Sequence, residues 1–113
     1  MKKAASIKPK KKTDAELFEL LAKNIRNGNY IFLTHAKIRL KDRMISDIEV
    51  IDILEGKIGR KRKRNKAKDK YEDGYQDWNY CIEGINLDGE KIRIIFSFVD
   101  DFMPIITVIR LDA

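Results

Sequence analysis

From Lys91 to Val99 the chain alternates with period two: Ile92, Ile94, Phe96 and Phe98 fall on one side, Lys91, Arg93, Ile95 and Ser97 on the other. A helix cannot hold that pattern, because its side chains repeat every ~3.6 residues, so the segment reads as a strand with one buried face. Just before it stands Asp88-Gly89, a pair suited to the positive-φ turn of a tight hairpin. Before that, aromatic and β-branched residues recur from Trp78 to Leu87, as a strand requires. Asp100-Asp101-Phe102-Met103-Pro104 reads as a turn, and Ile105 to Leu111 as the next strand. Three consecutive antiparallel strands are therefore expected at the end of the chain.

The first half follows a helical rhythm. Thr13-Asp14-Ala15-Glu16 has the form of a capping box, Leu17, Phe18, Leu21 and Ile25 recur at helical spacing, and Gly28 suits the residue past a helix end. This predicts a helix over 14–26. Tyr30 to Leu33 is a short β-prone run, with Thr34 placed to cap a helix over 35–43. Ser46-Asp47-Ile48-Glu49 is a second capping box, and the apolar run from Ile48 to Leu54 carries a helix to about Glu55, ended by Gly56. Helices followed by a meander make an α+β fold, N-terminal helices packed on a C-terminal antiparallel sheet. With 113 residues the chain suits one domain. That domain is expected over 13–113, behind a disordered basic tail at 1–12 and interrupted by a basic loop at 59–76, with room for a strand around Lys57 to Arg62.

Charge is distributed unevenly. Residues 1–12 hold six lysines and no acid, and residues 60–70 hold eight basic residues against Asp69. Together they carry +13, so the other 90 residues carry −7 of the net +6. Such runs serve as solvated surface, as a nuclear localisation signal, or as a grip on phosphates through counterion release. The second run interrupts a folded domain instead of trailing from its end, which favours nucleic acid. Tyr71, Tyr75, Trp78 and Tyr80, at the end of that run, are candidates for stacking bases.

Elimination narrows the chemistry. No apolar stretch reaches the ~20 residues of a membrane-spanning helix, so no membrane partner is expected and the protein reads as soluble and cytoplasmic. The scattered glycines form no phosphate loop, and there is no nucleophile elbow. The single cysteine, Cys81, reads as a buried structural thiol, and Asp100-Asp101 reads as turn chemistry, so neither metal nor cofactor is expected. What remains is His35, Arg39 and Arg43, which share a helix face beside the apolar stripe Ala36, Leu40, Met44. An imidazole that moves protons near neutral pH, with guanidiniums that hold phosphate oxygens, suits a phosphodiester. The same residues serve equally well as a capped helix whose arginines pair with Asp42, Asp47 or Glu49.

The motif His35-Ala36, Arg39, Arg43-Met44-Ile45-Ser46, Glu49-Val50 resembles the opening of the DUF4258 family, and the resemblance extends over about 30–111. Members look like small relatives of RelE-type and MqsR-type toxins, a helical pair before an antiparallel sheet that ends in a motif like Ile106-Thr107-Val108. The resemblance implies a RelE/MqsR-like fold and messenger-RNA cleavage in a toxin–antitoxin pair, with an antitoxin protein as partner. On that reading the catalytic group is His35, Arg39, Arg43 and Thr107. Arg60, Lys61, Arg62, Lys63, Arg64 and Lys66, with Arg93 and Arg110 on the sheet, would grip RNA. The rival expectation is a non-catalytic module of the same fold that binds nucleic acid or protein.

Overall fold

Local sequence signals become elements in a computed structural model that describes residues 8–56 and 61–111. In chain order these are α1 (Asp14–Arg26), β1 (Tyr30–Phe32), α2 (Thr34–Arg43), α3 (Asp47–Glu55), β2 (Arg62–Arg64), a 3-10 turn (Lys66–Lys68), β3 (Tyr80–Ile85), β4 (Lys91–Phe96) and β5 (Met103–Leu111). The capping box at α1 is complete: Thr13 Oγ1 accepts from Glu16 N–H, and Glu16 accepts back from Thr13 N–H. Ser46 Oγ caps α3 by accepting from Glu49 N–H. At α2 the expectation fails. The cap position is Leu33, which has no side-chain acceptor, and Thr34 is already helical.

The sheet runs β1-β5-β4-β3-β2. The three expected strands form its antiparallel centre, but the sheet is mixed, because β1 pairs parallel with β5 from Tyr30↔Met103 to Phe32↔Ile105. A three-residue strand carries almost no period, which is why its partner could not be read from sequence. Most of the strand sought around Lys57 to Arg62 lies outside the described residues; β2 runs over Arg62–Arg64, antiparallel to β3. An extra residue, Ile106, bulges β5 between Thr107, opposite Ile95, and Ile105, opposite Phe96.

Alternation along the strands sorts the two faces. Tyr80, Ile82, Ile92, Ile94, Phe96, Met103, Ile105 and Val108 are buried against Leu17 and Leu21 of α1, Ala36 and Leu40 of α2, and Val50, Ile53 and Leu54 of α3. Each such side chain withdrawn from water contributes about 1.5–3 kcal/mol. The α3 helix presses closely on β3, since a Cβ at Gly84 would overlap Ile53 Cγ2. All helices therefore sit on one face, and the other face carries Cys81, Glu83, Lys91, Arg93, Ile95, Thr107, Ile109 and Leu111.

Residues 8–12, read from sequence as part of a disordered tail, lie against the domain. Trp78 Nε1–H donates to Pro9 O at 2.8 Å, and the ammonium groups of Lys8 and Lys11 lie 4.6 and 4.5 Å from the Trp78 ring. Lys12 Nζ pairs with Asp77 Oδ2 at 2.8 Å. Cation–π contacts and the ion pairs of Lys11 with Asp69 and Lys12 with Asp77 replace the apolar contacts that a lysine-rich segment lacks.

Candidate nucleic-acid interface

The basic run 60–64 alternates Arg and Lys, and β2 turns that alternation into two faces. Arg62 and Arg64 point to the helix side, opposite Gly84 and Ile82, while Lys63 points outward opposite Glu83. Arg62 lies over the Phe18 ring at 4.5 Å and donates to Glu55 O at 3.2 Å; burial lowers its pKa from the ordinary arginine value. Arg64 is held more tightly. Its Nε and Nη2 donate to Asp69 Oδ2 at 3.2 and 2.8 Å, and its Nη1 reaches Asp14 at 2.9 Å. Both arginines, expected on RNA, are thus committed inside the protein. Guanidinium suits that role, being planar and weakly hydrated, whereas ammonium stays in water.

Lys61, Lys63 and Lys91 are exposed and make no ion pair among the described residues. They line a groove of about 710 Å³ at the β2 edge together with Arg62, Glu83, Gly84 and Ile85. Lys66 is exposed but lies 3.3 Å from Asp14. Arg93 faces outward and donates to Glu83 Oε2 at 2.8 Å. Arg60 lies outside the described residues.

Hydrogen bonds from Asn65 and then Arg93 hold the Glu83 carboxyl below the ordinary glutamate value, against a burial that pushes it up. A carboxylate favoured in the folded state stabilises above its unfolded pKa, and that contribution fades as pH falls through the lower folded value. Glu83→Gln is therefore expected to flatten the acid limb of a pH–stability curve measured by urea unfolding. An unchanged limb would contradict the pairing.

The stacking candidates fare differently. Tyr80 is fully buried and donates to Asp77 at 2.6 Å, its pKa raised first by burial and then by that bond. Lysines cover Trp78, and Tyr75 is half exposed. Burial pushes the Cys81 thiol up to about 11, as befits a structural cysteine.

The α2 candidates form a stripe that descends from solvent towards the core seam. His35 is exposed, and its Nε2 accepts from Arg39 Nε–H at 3.4 Å. Arg39 and Arg43 are half-buried, and Arg43 Nε is buried without a hydrogen-bond partner among the described residues. The pairings proposed with Asp42, Asp47 or Glu49 are not made among the described residues. Thr107 lies elsewhere. It sits opposite Ile95 on the helix-free face, and no hydrogen bond joins it to His35, Arg39 or Arg43 among the described residues. Arg110, expected to grip RNA, sits opposite Ile92 on the helix side, where it donates to the Arg43 carbonyl and lies 3.3 Å from Glu90. The bulge at Ile106 shifts the parity of β5 and so inverts what a simple alternation assigns to Arg110. Ser97 is buried, donating to Trp78 O at 2.7 Å. Strict Arg/Lys alternation was the available signal for β2, and a charge-run reading passed over it.

No helix among the described residues is long and apolar enough to cross a membrane. A family model described as a domain of unknown function, DUF4258, matches residues 32–110. No curated protein and no solved structure matches the chain.

Proposed function

The chain belongs to the DUF4258 family, and on that premise we propose that it binds RNA through the outward lysines of the β2 edge, Lys61, Lys63 and Lys91. The observation that carries this reading is the sorting of the basic run: Arg62 and Arg64 are held by contacts within the protein, while these lysines are exposed beside one groove with no ion pair among the described residues. Free ammonium groups gain affinity by releasing counterions from phosphates, and they position a backbone without reading its bases. The test is fluorescence anisotropy with a single-stranded RNA. Replacing Lys61, Lys63 and Lys91 together by Ala is expected to weaken binding about tenfold or more at moderate salt. Unchanged affinity in the folded variant would contradict the assignment.

A second reading, RNA cleavage by a RelE/MqsR-like toxin countered by an antitoxin, is favoured by the His35–Arg39 hydrogen bond and by Arg43 Nε further along the same helix, buried without a hydrogen-bond partner among the described residues. There His35 Nε2 takes the proton of a 2′-hydroxyl, and the freed oxygen attacks the adjacent phosphorus. The bond from phosphorus to the 5′-oxygen breaks, and that oxygen takes the proton that His35 Nε2 had accepted, giving a 2′,3′-cyclic phosphate while Arg39 and Arg43 neutralise the phosphorane. Thr107 has no place in this compact form of the site. Induced expression in a bacterium decides it: growth arrest with RNA decay, both abolished by His35→Ala, supports cleavage, and intact RNA with soluble protein refutes it.

A further inference from the structure

A solvated face of an antiparallel sheet ordinarily alternates its polar residues outward. Here the helix-free face departs from that rule on one half. The outward positions of β5 and its approach are Phe102, Pro104, Thr107, Ile109 and Leu111, apolar but for Thr107, with Ile31 beside them on β1. Ile31 is 50% exposed and Phe102 52%. The other half of the same face is cationic, with Lys63 on β2 and Lys91 and Arg93 on β4, countered by Glu83. The α-helices are all on the opposite side; of the strand residues on this face only Cys81 and Glu83 are buried, where the 3-10 turn packs on β3.

We infer that the helix-free face is a docking surface for an acidic, amphipathic polypeptide, its apolar side chains on β1 and β5 and its carboxylates on Lys63, Lys91 and Arg93. Charge complementarity selects the occupant. A second copy of this chain could match only the apolar half, because its own cations would have to avoid these. Area points the same way: a stable interface covers about 800 Å² per partner, more than a few half-exposed side chains provide, so the occupant must extend onto the cationic half. Because Lys63 and Lys91 also belong to the RNA surface, the occupant excludes RNA; that clause alone rests on the proposed function.

The test uses the full chain and a fluorescent peptide of glutamate and leucine, with its leucines along one helical face, beside a scrambled peptide of the same composition. The ordered peptide is expected to bind at least tenfold more tightly than the scrambled one. Ile31→Ser with Phe102→Ser, both substitutions at half-exposed sites, is expected to erase that advantage while RNA affinity stays within about twofold. Equal binding of the two peptides, no binding, or indifference to the serine pair would overturn the inference. So would a concentration-dependent dimer of the wild type that the serine pair abolishes, since the occupant would then be a second copy. A chain that holds the ordered peptide but no RNA would sink the RNA reading and leave the docking surface standing.

Discussion

Arg64→Ala is expected to lower stability by about 3–5 kcal/mol, the range found when one member of a buried ion pair is removed. The reason lies in Asp69. Its side chain is wholly buried, and its carboxylate accepts two bonds from Arg64 and one from the Cys81 amide. Without the guanidinium the charge stays behind with a single neutral donor and a lysine ammonium at 3.8 Å. The neighbouring Lys63→Ala, at an exposed position, is expected to change stability by less than about 0.5 kcal/mol. Urea midpoints of the two variants measure the contrast. Near-wild-type stability for Arg64→Ala, coupled with lost RNA affinity, would mean that this arginine reaches outward after all.

Phe96→Ala is expected to cost about 3–5 kcal/mol, from lost transfer free energy and from the cavity left behind. Phe96 is fully buried at the centre of the sheet, its ring 6.3 Å from that of Tyr80 and 5.8 Å from that of Phe98. The helices above it pack through rigid, branched side chains, so the space cannot readily be refilled. Phe102→Ala, half exposed on the other face, is expected to fall within about 0.5 kcal/mol of wild type. Comparable losses at both positions, read by thermal or urea unfolding, would contradict the assignment of faces.

The burial of Phe96 was legible in sequence, because the alternation through Ile92, Ile94, Phe96 and Phe98 is long enough to fix a face, whereas Phe102 read only as part of a turn. So were α1 and α3, whose caps are written locally at Thr13 and Ser46. What escaped was tertiary in origin. The pairing of β1 depends on a strand more than seventy residues away in sequence, and the inward turn of Arg110 depends on a bulge that no local residue announces. The candidate site was legible as composition but not as geometry. His35, Arg39 and Arg43 do share a helix flank, whereas Thr107 falls on the opposite side of the sheet. In the basic run the charges were plain, yet their division, Arg62 and Arg64 to the helix side and Lys63 outward, emerges only when the run becomes a strand.

That division is the centre of the account, and the salt dependence of RNA binding tests it most directly. For single strands the logarithmic slope falls by about 0.7 for each phosphate neutralised. Replacing Lys61, Lys63 and Lys91 by Ala should therefore flatten the slope by about 2 relative to the wild-type chain. Anisotropy titrations of both proteins across a salt series, on the same RNA, give the two slopes. A difference near that value is the predicted result. Parallel slopes, with the variant folded, would show that phosphate contact lies elsewhere on the molecule.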